Sequence, residues 1–259
     1  KKSTEKDVGA LINLYLARKN NRGFVYSPDF EILSALKQSF AYEETPDQQK
    51  AISDIIKDLE KRTPMDRLVY GDVGFGKTEV ALRAIVSVVS SGRCVFFLAP
   101  TTVLSDQHFI TCKNRLSPLG INVELLSRFR TKKQQESILG KLGDGHIDVL
   151  VGTHRLLGED VSTKRLGMLV VDEEHRFGVS HKEYIRSLKK RVDVLTLTAT
   201  PIPRTLQQSL VGIRDTSKIE TPPMNRLPIK TYIKRFDWNP VASSIKNELK
   251  RGGQVYFVS

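Results

Sequence analysis

The 259-residue chain has only two cysteines, one tryptophan and three methionines. Cys94 sits inside an apolar run and Cys112 in a stretch of helical periodicity, neither with metal-ligand neighbours at zinc-like spacing. Two reduced, buried thiols in a cytoplasmic-type protein are expected, in preference to a disulfide or a zinc site. No stretch approaches the roughly 20 consecutive apolar residues of a spanning helix, and the N-terminus is polar, so no membrane partner is expected. Acids are short too: 29 Asp and Glu stand against 41 Lys and Arg, a net charge of +12. That excess favours a polyanionic partner, nucleic acid first, without distinguishing DNA from RNA. Core formers are plentiful, at 39% hydrophobic beside 27% charged, which suits one large α/β domain with appendages or two modest domains. Running from Lys1 to Ser259, which follows directly on an apolar run, the chain reads as a piece of something longer.

Apolar positions recur at helical spacing before residue 40 (Val8, Leu11, Ile12, Tyr15, Leu16, then Phe30, Leu33, Leu36, Phe40), giving a helical lead-in over 1–40. Thr45 as N-cap, Pro46 in the first turn, and Ile52, Ile55, Ile56 and Leu59 on one face predict a helix over 46–61. Short β-rich runs at 67–70, 94–99, 123–126, 148–151, 168–171 and 192–197 then alternate with helical segments. Several are apolar on both faces, as parallel strands between helix layers must be, so the expected fold is α/β with a doubly wound parallel sheet. Three prolines (Pro222, Pro223, Pro228) mark a connector over 222–228. Beyond it a strand at 229–233, a helix at 240–250 and a strand at 254–258 are expected, the opening of a second lobe over 229–259.

Gly71-Asp72-Val73-Gly74-Phe75-Gly76-Lys77-Thr78 fits G-x-x-x-x-G-K-[ST] and stands where such a loop works, between a strand and a helix. Glycines let amide hydrogens and a helix N-terminus converge on phosphate oxygens, Lys77 counters the β/γ charge, and the Thr78 hydroxyl suits Mg²⁺. About a hundred residues on, Asp172-Glu173-Glu174-His175 ends the apolar run Leu169-Val170-Val171. Asp172 there can hold Mg²⁺ through water, and Glu173 can orient and deprotonate an attacking water. The two motifs are expected on adjacent strands, forming one hydrolase site for ATP and Mg²⁺.

Together with Thr198-Ala199-Thr200, these strings resemble motifs I, II and III of superfamily 2 helicases and translocases, in the expected order. The fuller strings Gly-Asp-Val-Gly-Phe-Gly-Lys-Thr-Glu-Val-Ala, Asp-Glu-Glu-His-Arg-Phe-Gly-Val and Thr-Ala-Thr-Pro-Ile-Pro-Arg-Thr resemble the RecG-like group and, within it, the bacterial transcription-repair coupling factors. RecG typically carries Gln in place of Glu174 and Ser in place of Phe75. The resemblance implies a RecA-like first motor lobe over 41–221. Thr45-Pro46-Asp47-Gln48 is similar to the adenine-reading motif, so Gln48 would bond the base edge, with Phe40 or Tyr42 stacking on it. Thr101, Thr102, Thr153, His154 and Arg155 occupy motifs that resemble those gripping a nucleic-acid backbone, with simple helix capping by Thr102 and Thr153 as the alternative. Arg128 and Arg130, in a segment of four cations without an acid, and the basic segment 176–191 could meet DNA or simply face solvent. His175 is placed to bond toward Thr198 or Thr200 and so report nucleotide state, and Arg204 either supports motif III or contacts DNA.

The family's arginine finger belongs to the second lobe, and no Gln-x-x-Gly-Arg-x-Gly-Arg pattern occurs in the chain. Slow turnover of ATP is therefore expected. The resemblance implies a double-stranded DNA translocase that displaces stalled RNA polymerase and recruits excision-repair proteins. A RecG-type fork-reversing motor and a non-catalytic binding module are the alternatives.

Overall fold

The computed structural model describes residues 14–200, 214–223, 231–233 and 235–258. The chain divides into two compact units, Lys1–Met224 and Asn225–Ser259. In the first, residues 14–20 belong to helix α1. There follow α2 (Phe30–Gln38), α3 (Pro46–Leu59), β1 (Asp66–Gly71), α4 (Lys77–Val89), β2 (Cys94–Leu98) and α5 (Thr102–Leu116). Next come β3 (Val123–Leu126), α6 (Lys132–Gly143), β4 (Val149–Gly152), β5 (Leu166–Asp172), α7 (Val179–Leu188), β6 (Asp193–Thr198) and β7 (Asp215–Ile219). The second unit holds α8 (Trp238–Lys250), while residues 231–233 and 254–258, expected as strands, form none. Tyr256 and Val258 are exposed there, and no described strand lies alongside to complete a ladder. Val8, Leu11, Ile12, Arg204 and most of the proline-rich connector lie outside the described residues.

The seven strands form one sheet in the order β3-β4-β2-β5-β6-β1-β7, every pair parallel. Alternate side chains feed two cores, as a parallel sheet covered on both faces requires. Val69, Phe97, Val151, Val170 and Leu197 pack with α3, α4 and α5 on one face. Phe96, Leu98, Leu150, Leu169 and Val194 pack with Ile138 and Leu142 of α6 and Ile185 of α7 on the other. β7 was not legible as a strand, because Asp-Thr-Ser-Lys-Ile is mostly polar. It forms the sheet's edge and buries only Ser217 and Ile219. Cys94 and Cys112 are free and buried, their thiols pushed up to about 12 by that burial.

Local chemistry starts the helices where the site needs them. Thr45 caps α3: its hydroxyl accepts from the Gln48 backbone amide while the Gln48 side-chain Oε1 accepts from the Thr45 backbone amide, a reciprocal box with Pro46 at the first helical position. Thr131 and Gln134 repeat the device at α6. Both boxes place polar, turn-forming sequence just past a strand or loop and apolar sequence in the helix body.

Candidate active site

In a parallel sheet all carboxyl ends share one edge, and here each of the first six strands delivers its motif to that edge. β1 leads into the glycine-rich loop, β2 into Thr101, β3 into Arg128 and Arg130, β4 into Thr153, β5 into Asp172 and Glu173, and β6 into Thr198. The two hydrolase motifs are not on adjacent strands as expected: β6 intervenes between β1 and β5. At two strand spacings the separation is about 10 Å, room for a triphosphate between them. Thr198 pairs in register with Tyr70, and Leu197 with Asp172, so the three strand ends finish level.

The loop from Gly71 to Gly76 turns through two glycines in left-handed conformation, Gly74 (φ 80°) and Gly76 (φ 75°). A β-carbon on Gly76 would stand 2.4 Å from the Gln48 side-chain nitrogen, and one on Gly71 would stand 2.6 Å from the Ile219 carbonyl. Glycine is required at 76 both for its conformation and for that close approach. Gln48, almost fully buried, donates from Nε2 to the Phe75 carbonyl at 2.9 Å. Its amide therefore braces the loop as well as the cap. Lys77 Nζ donates to the Gly71 and Asp72 carbonyls at 2.7 and 2.9 Å. Asp72 Oδ1 accepts from the Val73 amide at 2.8 Å, Val73 is exposed, and Thr78 lies in the first turn of α4. Phe40 and Tyr42 meet in a T-shaped contact with ring centroids 5.6 Å apart, Tyr42 exposed and Phe40 beneath the Arg115 guanidinium.

Glu173 is the single non-glycine among the described residues with a positive φ (50°), a conformation costing about 1–2 kcal/mol. The fold overrides that cost with three bonds. The Glu173 amide donates to the Leu197 carbonyl at 2.8 Å, while its carboxylate accepts from the Thr198 hydroxyl at 2.8 Å and the Ala199 amide at 2.7 Å. Backbone strain held by such a network at a strand end is the kind of outlier that clusters at functional sites. His175 meets Thr198 indirectly. Its Nδ1 lies 3.3 Å from Glu173 Oε2, the oxygen that Thr198 also reaches. Thr198 in turn accepts from the Thr200 amide at 3.1 Å.

Asp172 Oδ2 lies 2.8 Å from His108 Nε2, a partner that sequence reasoning missed. The signal was present: Ser105, His108, Cys112 and Leu116 form the buried stripe of α5, and a histidine in such a stripe needs a polar partner. Glu174 points away from the reacting edge, into a buried cluster where it meets Lys189 (3.2 Å) and Arg214 (3.4 Å), which also reach Asp66. Burial pushes both carboxyls up, and the cations more than offset it, holding Glu174 and Asp66 below the usual range. Lys189 is thus a buried ion-pair member rather than part of a DNA-facing run.

Thr101, not Thr102, caps α5 through a bond from the Leu104 amide, and Thr153 opens a short 3-10 turn without a capping bond. His154 stacks on His181 at 5.2 Å. Arg155, expected to face a nucleic-acid backbone, is instead paired in bidentate fashion with Asp160 at 2.7 and 2.5 Å, with Gln135 beside it. Arg128 lies over the ring of exposed Phe129. Among the described residues no group of three or more His, Cys, Asp or Glu side chains could cage a metal. A hydroxyl at 78 and one carboxylate at 172 instead match magnesium, which takes few protein oxygens and leans on substrate phosphates.

Residues 45–209 match the DEAD/DEAH box helicase family. The chain belongs to that family. Its sequence is 52% identical over 248 residues to the transcription-repair-coupling factor of Bacillus subtilis, covering 96% of this chain and 21% of that protein. It is 50% identical over 256 residues to the factor of the same name from Staphylococcus epidermidis, covering 99% and 22%. The structure of RecG bound to a three-way DNA junction superposes with a TM-score of 0.79 at 32% identity, covering 94% of this chain and 34% of that one. The fold is thus the RecA-like helicase fold, and the chain spans about a fifth of the length of the coupling factors it matches. Among the described residues no helix is long and apolar enough to cross a membrane.

Proposed function

We propose that this chain is the ATP-binding first lobe of a double-stranded DNA translocase that displaces stalled RNA polymerase and couples transcription to excision repair. The observation that carries the chemistry is the level finish of β1, β6 and β5, with the glycine-rich loop, Thr198 and the acidic pair at one edge. The division over 41–221, 222–228 and 229–259 into lobe, connector and second-lobe opening belongs to the same reading. The 52% identity to a coupling factor, against 32% to RecG, favours this assignment over a fork-reversing motor.

In this reading the loop amides from Gly71 to Gly76 bind the phosphates, and Lys77 turns from its backbone carbonyls toward them. Thr78 and Asp172 hold Mg²⁺, which supplies charge neutralisation on the triphosphate. Glu173, fixed by Thr198 and Ala199, orients the attacking water and takes its proton on the carboxylate. Gln48 keeps the loop and α3 in register and offers its remaining amide hydrogen to the adenine edge, beside Phe40 and Tyr42. Thr101, Thr102, His154, Arg128 and Arg130 face the DNA backbone, buried Thr153 supports the turn that presents His154, and Arg155 joins them by exchanging Asp160 for phosphate. Such contacts are salt-sensitive and carry no sequence preference. Hydrolysis in this chain is slow because the finger arginine comes from a second lobe.

Lys77→Ala tests the reading by titration with a fluorescent ATP analogue, with and without Mg²⁺. The affinity is expected to fall at least tenfold with the melting temperature preserved. An unchanged affinity overturns the phosphate-site assignment. Polymerase displacement is tested separately, on DNA carrying a stalled transcription complex, with the longer protein that contains both lobes.

A further inference from the structure

His108 stands among α5's buried residues, and its imidazole lies against Phe97 of β2 with ring centroids 4.4 Å apart. Phe97 is fully buried and pairs in register with Val170, two residues before Asp172. Ring and carboxylate are thus held by neighbouring strands of the same core. With Asp172 read as a metal-holding carboxylate it accepts, and the 2.8 Å contact then places the hydrogen on His108 Nε2. That bond commits Oδ2 and leaves Oδ1 as the oxygen for another partner. It also stops rotation of a side chain that would otherwise sample several orientations.

We propose that His108 is a positioning residue for the metal site: its Nε2–H fixes the Asp172 carboxylate so that one oxygen faces Mg²⁺ in a single geometry. The proposal rests on the reading of Asp172 as the magnesium carboxylate. Hydrogen bonds to ligating carboxylates tune metal affinity by roughly 10–100-fold when removed, and a buried donor against a rigid ring is well built for that task. The phosphate-binding half of the site, on the far side of β6, has no contact with His108 in this scheme. Its affinity for metal-free nucleotide is therefore expected to be independent of residue 108.

The experiment titrates the whole 259-residue chain with a fluorescent ATP analogue in EDTA and again in Mg²⁺, the ratio of the two affinities measuring the metal contribution. His108→Phe keeps the ring contact with Phe97 but cannot donate, and His108→Gln restores a donor at similar reach. His108→Phe is expected to lose about tenfold or more of the Mg²⁺-dependent tightening, with EDTA affinity within twofold of the parent. His108→Gln is expected to stay within about threefold of the parent in both. If His108→Phe does not fold, as melting will show, His108→Asn takes its place, being too short to reach Asp172. Parent-like tightening in the non-donating variant overturns the proposal, as does a His108→Gln that folds yet is equally deficient. Asp172→Asn separates the two layers. If it abolishes tightening while His108→Phe does not, only the role of His108 fails; if it too leaves tightening intact, the metal-carboxylate reading fails with it.

Discussion

Asp193 opens β6 almost fully buried, and its replacement by asparagine should stabilise the protein above neutral pH. The Tyr26 oxygen lies 2.8 Å from Asp193 Oδ2 and 2.9 Å from the Gly167 carbonyl, while the Met65 amide donates to Asp193 Oδ1 at 2.6 Å. Tyr26 has one proton and faces two acceptors, and burial drives its phenol well above the ordinary tyrosine range, so it stays protonated. A second proton on Oδ2 resolves the conflict: Asp193 donates to Tyr26, and Tyr26 donates to Gly167. Burial likewise pushes the Asp193 carboxyl from 3.8 up to about 6, against the opposing bonds from Met65 and Tyr26 and the attraction of Arg18. An acid raised in the folded state contributes stability that is complete below the unfolded value and is lost as pH climbs through the folded one. The window runs from about pH 4 to pH 6, and the loss is about 3 kcal/mol at ~1.4 kcal/mol per pH unit. Asparagine can accept from Met65 and donate to Tyr26 at every pH. The difference in stability between Asp193→Asn and the parent should therefore grow by about 3 kcal/mol between pH 4 and pH 7.5, or roughly 6–12 °C in melting temperature for a domain of this size. Paired thermal melts across that range check it, and the difference cancels the opposite acid-range contributions of Asp66 and Glu174. A flat difference, or one that shrinks as pH rises, refutes a neutral Asp193.

Two further substitutions probe the site's supports. Gly76→Ala places a methyl group against the Gln48 amide at a positive φ, and should lower the melting temperature by at least ~4 °C, from a cost of about 2 kcal/mol, while abolishing binding of the fluorescent ATP analogue; parent-like melting shows that the loop tolerates the change. Asp47 accepts from the Glu220 and Thr221 amides at 2.9 and 2.8 Å and from the Thr221 hydroxyl at 2.8 Å, bonds that hold its carboxyl below the usual range. Asp47→Ala should raise hydrogen exchange at those two amides about tenfold or more, the equivalent of one charge-assisted bond, and unchanged protection shows that the clasp carries no stability.

The glycine-rich loop was legible because its requirements are backbone requirements: left-handed turns at 74 and 76 admit few residues, and the sequence spacing states them directly. Thr45-Pro46-Asp47-Gln48 was legible as a helix start for the same local reason, yet the second use of Gln48, bracing Phe75, depends on where β1 ends in space. Strand order is likewise non-local. Nothing in the run at 193–198 says that it inserts between β1 and β5, so adjacency was misjudged although the shared edge was not. Polar β7 escaped a reading built on apolar runs, because an edge strand buries so little. Conversely, residues 254–258 have strand composition and no strand, since composition supplies only one side of a ladder. Arg155 and Lys189 show the limit for charges. A motif match cannot reveal that Asp160 claims Arg155, nor a count of cations that Asp66 and Glu174 bury Lys189.

One helix joins two of the edge's tasks. α5 begins at Thr102, next to the capping Thr101, and carries His108 six residues later, about 9 Å along its axis. A nucleic-acid backbone bound at Thr101 and Thr102 would then press on the N-terminal end of α5, and a metal held by Asp172 on its middle. Any coupling between them is reciprocal, whichever ligand binds first. A tenfold coupling needs only about 1.4 kcal/mol, and a hydrogen bond to a charged group contributes ~1.5–3 kcal/mol. The single His108–Asp172 contact is therefore strong enough to carry such an effect, without rearrangement of the sheet. On the proposed reading of both sites, a shift of α5 that lengthens the 2.8 Å bond would weaken the metal site, and one that restores it would do the reverse. On that reading, DNA grip would bias the metal site across about 9 Å of helix.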